Sequence, residues 1–109
     1  MKESERLIAA KALIADERNW TQEVYARNAA MKEVSPLDPT ATCFCSLGAL
    51  RKVSGWAHDD SLPGKYFAQS AVYLLKLDGY IDLLNDNNTH EAVMEMFDLA
   101  IKLAQDAGN

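Results

Sequence analysis

Near the end of the chain the apolar residues recur every three or four positions: Val93, Met94, Phe97, Ala100, Ile101 and Ala104. At 3.6 residues per turn they share one face of a helix, and Glu91, Glu95, Asp98, Lys102 and Gln105 fall on the opposite face. A strand would scatter both sets over its two faces, because its side chains alternate with period two. The spacing therefore predicts a helix over 89–106, with Gly108 beyond its end.

The same periodicity organises most of what comes before. Leu7, Ala10 and Ile14 are spaced i, i+3, i+7, with Ile8 and Leu13 widening the stripe, and Ser4 can cap the helix they form. That helix is expected over 4–18, with Asn19 able to take a left-handed stop. Asp38-Pro39 joins an N-cap acceptor to a residue with no N–H to leave unpaired, which predicts a second helix over 39–54, halted by Gly55. Phe67, Ala71, Leu74 and Leu75 predict a third over 65–77, with Gly79 as terminator. The stretch 19–36 lacks a clear period and reads as irregular or short-helical. The expected architecture is all-α: a compact single-domain bundle of about four main helices spanning 1–109.

A chain of 109 residues, 49% hydrophobic and 25% charged, has the composition of an ordered globular domain and needs no disulfide or metal to fold. The apolar run Leu7–Ala15 is interrupted by Lys11 and ends in Asp16-Glu17-Arg18, so it reads as neither signal peptide nor membrane span, and the expected location is the cytoplasm. The net charge of −5 is unevenly placed: residues 77–109 hold seven Asp/Glu against Lys102 alone, while 1–76 hold nine against ten Lys/Arg. Direct nucleic-acid binding, which needs clustered Lys/Arg on phosphates, is disfavoured. An acidic face can steer a basic protein partner instead.

"CFCSLGAL", residues 43 to 50, contains both cysteines. On a helix, residues two apart point about 200° from each other, so Cys43 and Cys45 cannot share a metal or a relaxed disulfide. Both are expected to be reduced packing residues, small hydrophobes among Phe44, Leu47 and Leu50. A nucleophile reading with Cys45, His90 and Asp86 is disfavoured because Cys45 is expected mid-helix, away from the helix N-termini that activate thiols. "DLLNDNNTHE" lacks the glycine and alternating oxygens of a calcium loop, and His58-Asp59-Asp60 reads as a polar turn. No catalytic residue, metal site or cofactor is implied. Gly48 inside a helix loses about 1 kcal/mol relative to alanine; close approach by Trp20 or by a neighbouring backbone would compensate.

The order Trp-x-Gln…Ala-Arg at Trp20, Gln22, Ala26 and Arg27, Cys-x-x-Gly-Ala-Leu at Cys45, Gly48, Ala49 and Leu50, and Asn85-Asp86 resembles a family of small uncharacterised bacterial and bacteriophage proteins, a domain of unknown function. The resemblance covers most of 7–104. It departs at Glu23, where a glycine is usual, and at Asn28, where an aspartate is usual.

The candidate binding residues are Trp20, Gln22, Arg27, Asn85 and Asp86. Trp20 is expected in the core. Asn85-Asp86 is expected to lie ahead of the last helix and cap it, with Asn88 and Glu91 forming a capping box. Arg27 is expected either to pair with Asp86 or helix-end carbonyls, or to bind an anion. Two functional classes follow: a non-catalytic protein-interaction module, phage- or mobile-element-encoded and binding a host protein; or a small-molecule or anion binder, or minor enzyme, with a pocket around Trp20, Gln22, Arg27 and Asn85. Internal satisfaction of Gln22 and Arg27 favours the first.

Overall fold

In the computed structural model, which describes residues 1–77 and 79–109, the elements run α1 (Glu3–Ile14), a 3-10 turn (Glu17–Asn19), β1 (Ala26–Asn28), β2 (Ala41–Phe44), α2 (Ser46–Ser54), α3 (Lys65–Leu75), α4 (Ile81–Asn87) and α5 (His90–Asp106). Among the described residues the protein is mostly helical, and the all-α expectation is corrected by a small two-stranded antiparallel sheet pairing Ala26 with Phe44 and Arg27 with Cys43. No described helix is long and apolar enough to cross a membrane.

α5 follows its periodicity closely. Thr89 caps it by accepting the Ala92 N–H at 3.2 Å, in place of the expected Asn88–Glu91 box. Its buried stripe is Val93, Met96, Phe97, Ala100 and Ala104. That stripe packs against α1 and α3, and α1 also packs against α2. All five helices and β2 contribute to one buried apolar cluster, with Leu7, Phe44, Leu50, Val72, Leu84 and Phe97 among its members. Full burial of a Leu or Phe contributes roughly 1.5–3 kcal/mol.

Other boundaries differ, each for a local reason. α1 stops at Ile14 instead of 18, because the Asp16 carboxylate accepts the Arg18 N–H at 2.9 Å and closes a separate 3-10 turn. Ser4 lies inside α1, and it is the Glu5 carboxylate that accepts the Lys2 N–H at 2.8 Å. α3 ends before Gly79, with Lys76 taking the left-handed cap at φ 56°. Gly55 ends α2 as expected, at φ 65°.

The largest correction concerns 39–54. Asp38 does not start a helix: its carboxylate accepts the Thr40 N–H at 2.8 Å and the Thr40 hydroxyl at 2.7 Å, closing a turn. The chain then runs extended through Ala41–Phe44, and α2 begins only at Ser46, with Cys45 at its N-cap. Thr42 and Phe44 suit a pleated strand better than a helix. Segment 19–36 is drawn to this strand: the Thr21 N–H donates to the Phe44 carbonyl at 3.0 Å and the Cys45 N–H to the Tyr25 carbonyl at 3.1 Å.

Candidate functional site

Asn85 does not lie ahead of a helix, as the sequence suggested; it is fully buried on α4. Its Oδ1 accepts from Trp20 Nε1 at 2.8 Å, from the Ser46 hydroxyl at 2.8 Å and from the Ser46 N–H at 3.0 Å. Its Nδ2 donates to the Thr21 carbonyl at 3.0 Å and to Asp86 Oδ1 at 3.1 Å. Ser46 is the first residue of α2, so Asn85 satisfies an amide that has no partner inside that helix. One amide side chain thus joins α4, the start of α2 and the 20–21 segment. Trp20 is part-buried at the margin of the core, not enclosed within it.

The neighbouring side chains tighten the same junction. Gln22 Nε2 lies 3.1 Å from the Asn85 carbonyl and 3.2 Å from that of Asp86, covering orphan acceptors at the end of α4. Asp86 Oδ1 accepts the Glu23 N–H at 2.8 Å. Arg27 meets neither Asp86 nor a helix end: its Nε donates to Thr21 Oγ1 at 2.9 Å and its Nη1 to the Met31 carbonyl at 3.2 Å. The candidate residues Trp20, Gln22, Asn85 and Asp86 therefore form one network, and Arg27 adjoins it through Thr21.

Gly48 explains how closely the segment sits. A β-carbon there would stand 2.0 Å from the Tyr25 carbonyl oxygen, so of the two expected neighbours it is the backbone, not Trp20, that requires the glycine.

Both cysteines are free and buried, but they do not share a helix as expected. Cys43 is on β2, with its thiol 3.4 Å from the Arg18 carbonyl. Cys45 Sγ accepts the Gly48 N–H at 3.3 Å. The mid-helix argument against a thiolate thus fails, since Cys45 stands at a helix N-terminus. Burial replaces it, pushing the thiol up to about 11 despite the Gly48 and Leu47 amides. His90 is engaged elsewhere, its Nε2 being 2.7 Å from the Ile14 carbonyl. Thiol labelling at neutral pH is expected to be at least ~100-fold slower for Cys45 in the native protein than in urea, from the thiolate fraction alone. Equal rates would contradict this environment.

The model of a family of unknown function, DUF6197, matches residues 1–103. The chain belongs to that family. No curated protein and no solved structure matches it. In this DUF6197 member both departures from the sequence resemblance have a structural setting. Glu23 has φ 74°, a left-handed conformation that disfavours a side chain by roughly 1–2 kcal/mol. Glu23→Gly is therefore expected to stabilise by about 1 kcal/mol, read from the urea midpoint, with the gain reduced by the freer unfolded chain. Asn28 Oδ1 accepts the Ala30 and Lys32 N–H groups at 3.0 and 3.1 Å, which an aspartate could do equally.

Two groups in this DUF6197 protein escaped sequence reasoning. The first surrounds Asp59, whose carboxylate takes Arg51 Nε at 2.7 Å and the Tyr25 hydroxyl at 2.7 Å, with the guanidinium 3.9 Å over the Tyr25 ring. Burial alone would raise the Asp59 pKa, but the bonds from Arg51 and Tyr25 bring it below the usual value. Tyr25 is pushed up to about 12 by burial and by the Asp59 carboxylate. A folded-state value above the unfolded ~10 means that this tyrosine stabilises the fold less as pH rises from about 10 to about 12. Absorbance titration should show one of the four tyrosines ionising near 12, and Tyr25→Phe should abolish that phase.

The second group is the outer face of α3. Tyr66, Tyr73 and Leu74 are 73%, 79% and 55% exposed, while Phe67, Ala68, Ala71 and Val72 turn inward. The sequence reading set Leu74 on the inward stripe with Phe67 and Ala71, which its exposure corrects, and gave the two tyrosines no role.

Proposed function

We propose that the protein is a non-catalytic interaction module that binds a partner protein, in the phage or mobile-element setting a protein of the host cell, through the outer face of α3. The observation that carries this reading is the exposure of Tyr66, Tyr73 and Leu74 on one helix face. The outer faces of other helices in acidic proteins are typically charged, as α5's is with Glu91, Glu95, Asp98 and Asp106; α3 carries only Lys65. Tyrosine offers a large apolar area with a polar tip and little rotamer entropy to lose, which is why it is enriched at interface centres. Gln22 and Arg27 are committed to backbone carbonyls and Thr21, which favours an interaction surface over a pocket built around them.

Photo-crosslinking in a host lysate, comparing the wild-type protein with a Tyr66→Ala/Tyr73→Ala double variant, tests the reading. Both side chains are outside the core, so the variant is expected to melt within about 1 kcal/mol of the parent. A protein crosslinked by the parent and lost in the variant supports the reading. An identical crosslinking pattern would sink it.

A further inference from the structure

The aromatic face of α3 does not end at the helix. A depression lined by Tyr66, Gln69, Tyr73 and Leu74 shares Gln69 with a second one holding Leu47, Tyr80 and Asp82. That one shares Tyr25, Leu47 and Asp82 with a third, lined by Glu23, Val24, Cys45, Asn85 and Asp86. The three adjoining depressions make a row, the trough, with an aromatic end on α3 and an acidic end between α4 and the 23–25 turn.

The charges at the acidic end differ in availability. Asp86 is hydrogen-bonded to Glu23 N–H and Asn85 Nδ2, and Asp59 is paired with Arg51. Among the described residues, Glu23 and Asp82 have exposed carboxylates and no ion pair. Lys65, the cation in the middle of the trough, has its ammonium 3.3 Å from the Asp59 carbonyl. An apolar, tyrosine-rich surface that runs into two unpaired carboxylates is complementary to a segment with apolar residues at one end and Lys or Arg at the other.

We infer that the trough docks a basic, apolar helical segment of another protein, its aliphatic or aromatic side chains over Tyr66, Tyr73 and Leu74 and its cations toward Glu23 and Asp82. This rests on the interaction reading above and names the partner's chemistry. A second copy of the chain fits less well. Its residues 77–109 hold seven acids against one lysine and its net charge is −5, so a copy docking here through that part would bring like charges together. The acidic end also predicts electrostatically steered association, fast at low salt and sensitive to screening.

The test uses the intact protein and a fluorescein-labelled synthetic peptide, an amphipathic helix with leucines at i, i+4 and i+7 and lysines or arginines toward one end. Its controls are a scrambled peptide and one with glutamates replacing the cations. Binding of the designed peptide alone is expected, weakened at least ~10-fold when ionic strength rises from about 0.01 to about 0.15 M, which shortens the Debye length from about 30 to about 8 Å. Glu23→Lys/Asp82→Lys should weaken it at least ~10-fold through the association rate, and Tyr66→Ala/Tyr73→Ala by a similar factor through dissociation. Equal binding of the scrambled peptide, insensitivity to both double variants, or a trough variant that changes the sedimentation mass of the free protein would overturn the inference. If it fails while the lysate crosslink still depends on Tyr66 and Tyr73, the interaction reading stands with a partner of different chemistry. If both fail, the α3 face is not an interface.

Discussion

Gly48→Ala is expected to destabilise the protein by about 3 kcal/mol or more, although alanine at an unobstructed helix position would stabilise by about 1 kcal/mol. The sign is decided by one distance. An ideal β-carbon at 48 falls 2.0 Å from the Tyr25 carbonyl oxygen and 2.9 Å from its carbon, and these are backbone atoms that cannot rotate away. That carbonyl accepts the Cys45 N–H at 3.1 Å, so relieving the clash means breaking the bond at the N-cap of α2 or moving the whole 20–25 segment. Overpacking a tight interior contact typically costs 1–3 kcal/mol, and loss of the buried bond adds roughly 1 kcal/mol more. Against a total stability of roughly 5–15 kcal/mol, the variant should show a far lower urea midpoint with an unchanged slope. A midpoint at or above the parent's would mean that α2 and the Tyr25 carbonyl do not approach this closely.

What the sequence disclosed and what it concealed differ by the range of the interaction involved. α5 was legible because Val93, Phe97, Ala100 and Ala104 repeat every three or four residues and nothing in the segment competes with that local signal. The inward face of α3 was legible only in part: Phe67 and Ala71 are buried, but Leu74, expected on the same stripe, faces outward. β2 was not: Ala41–Phe44 follows Asp38-Pro39, whose local chemistry fits a helix start as well as it fits the turn actually formed. The choice is made by partners far away in sequence, the Thr21 N–H and the Ala26–Asn28 strand. Strand pairing depends on where another strand lies, and a single segment contains no record of that.

The candidate residues split along the same line. Trp20, Gln22, Asn85 and Asp86 could be named from the motif order, and the structure brings them together, but their roles could not be read. Asn85 suggested a cap for the helix after it. It serves instead the first amide of α2, 39 residues earlier. Arg27 suggested a carboxylate partner and finds Thr21 and Met31 in its own loop. The outer tyrosines of α3 left a signal that helical periodicity discards: large side chains at positions where an amphipathic helix usually places charge.

Asn85→Ala should be as damaging as the glycine substitution, for the opposite reason: it removes atoms that many groups depend on. The side chain is fully buried and engages five partners, namely Trp20 Nε1, the Ser46 hydroxyl, the Ser46 N–H, the Thr21 carbonyl and Asp86. Truncation orphans two backbone groups, Ser46 N–H and Thr21 C=O, beside a residue that is itself 0% exposed. Each buried polar group left without a partner costs about 1–3 kcal/mol, and a network is worth more than its separate pairs. A loss of about 4 kcal/mol or more is expected. Asn85→Leu, which restores the volume but none of the acceptors, should recover little of it, and so separates the missing hydrogen bonds from the missing contacts. Trp20→Phe removes one member of the network while keeping an aromatic ring, and in a double-mutant cycle with Asn85→Ala it should give a coupling of at least ~1 kcal/mol. If Asn85→Ala loses less than about 1 kcal/mol, or the two substitutions simply add, the junction of α4, α2 and the 20–21 segment is held by apolar packing and not by this amide.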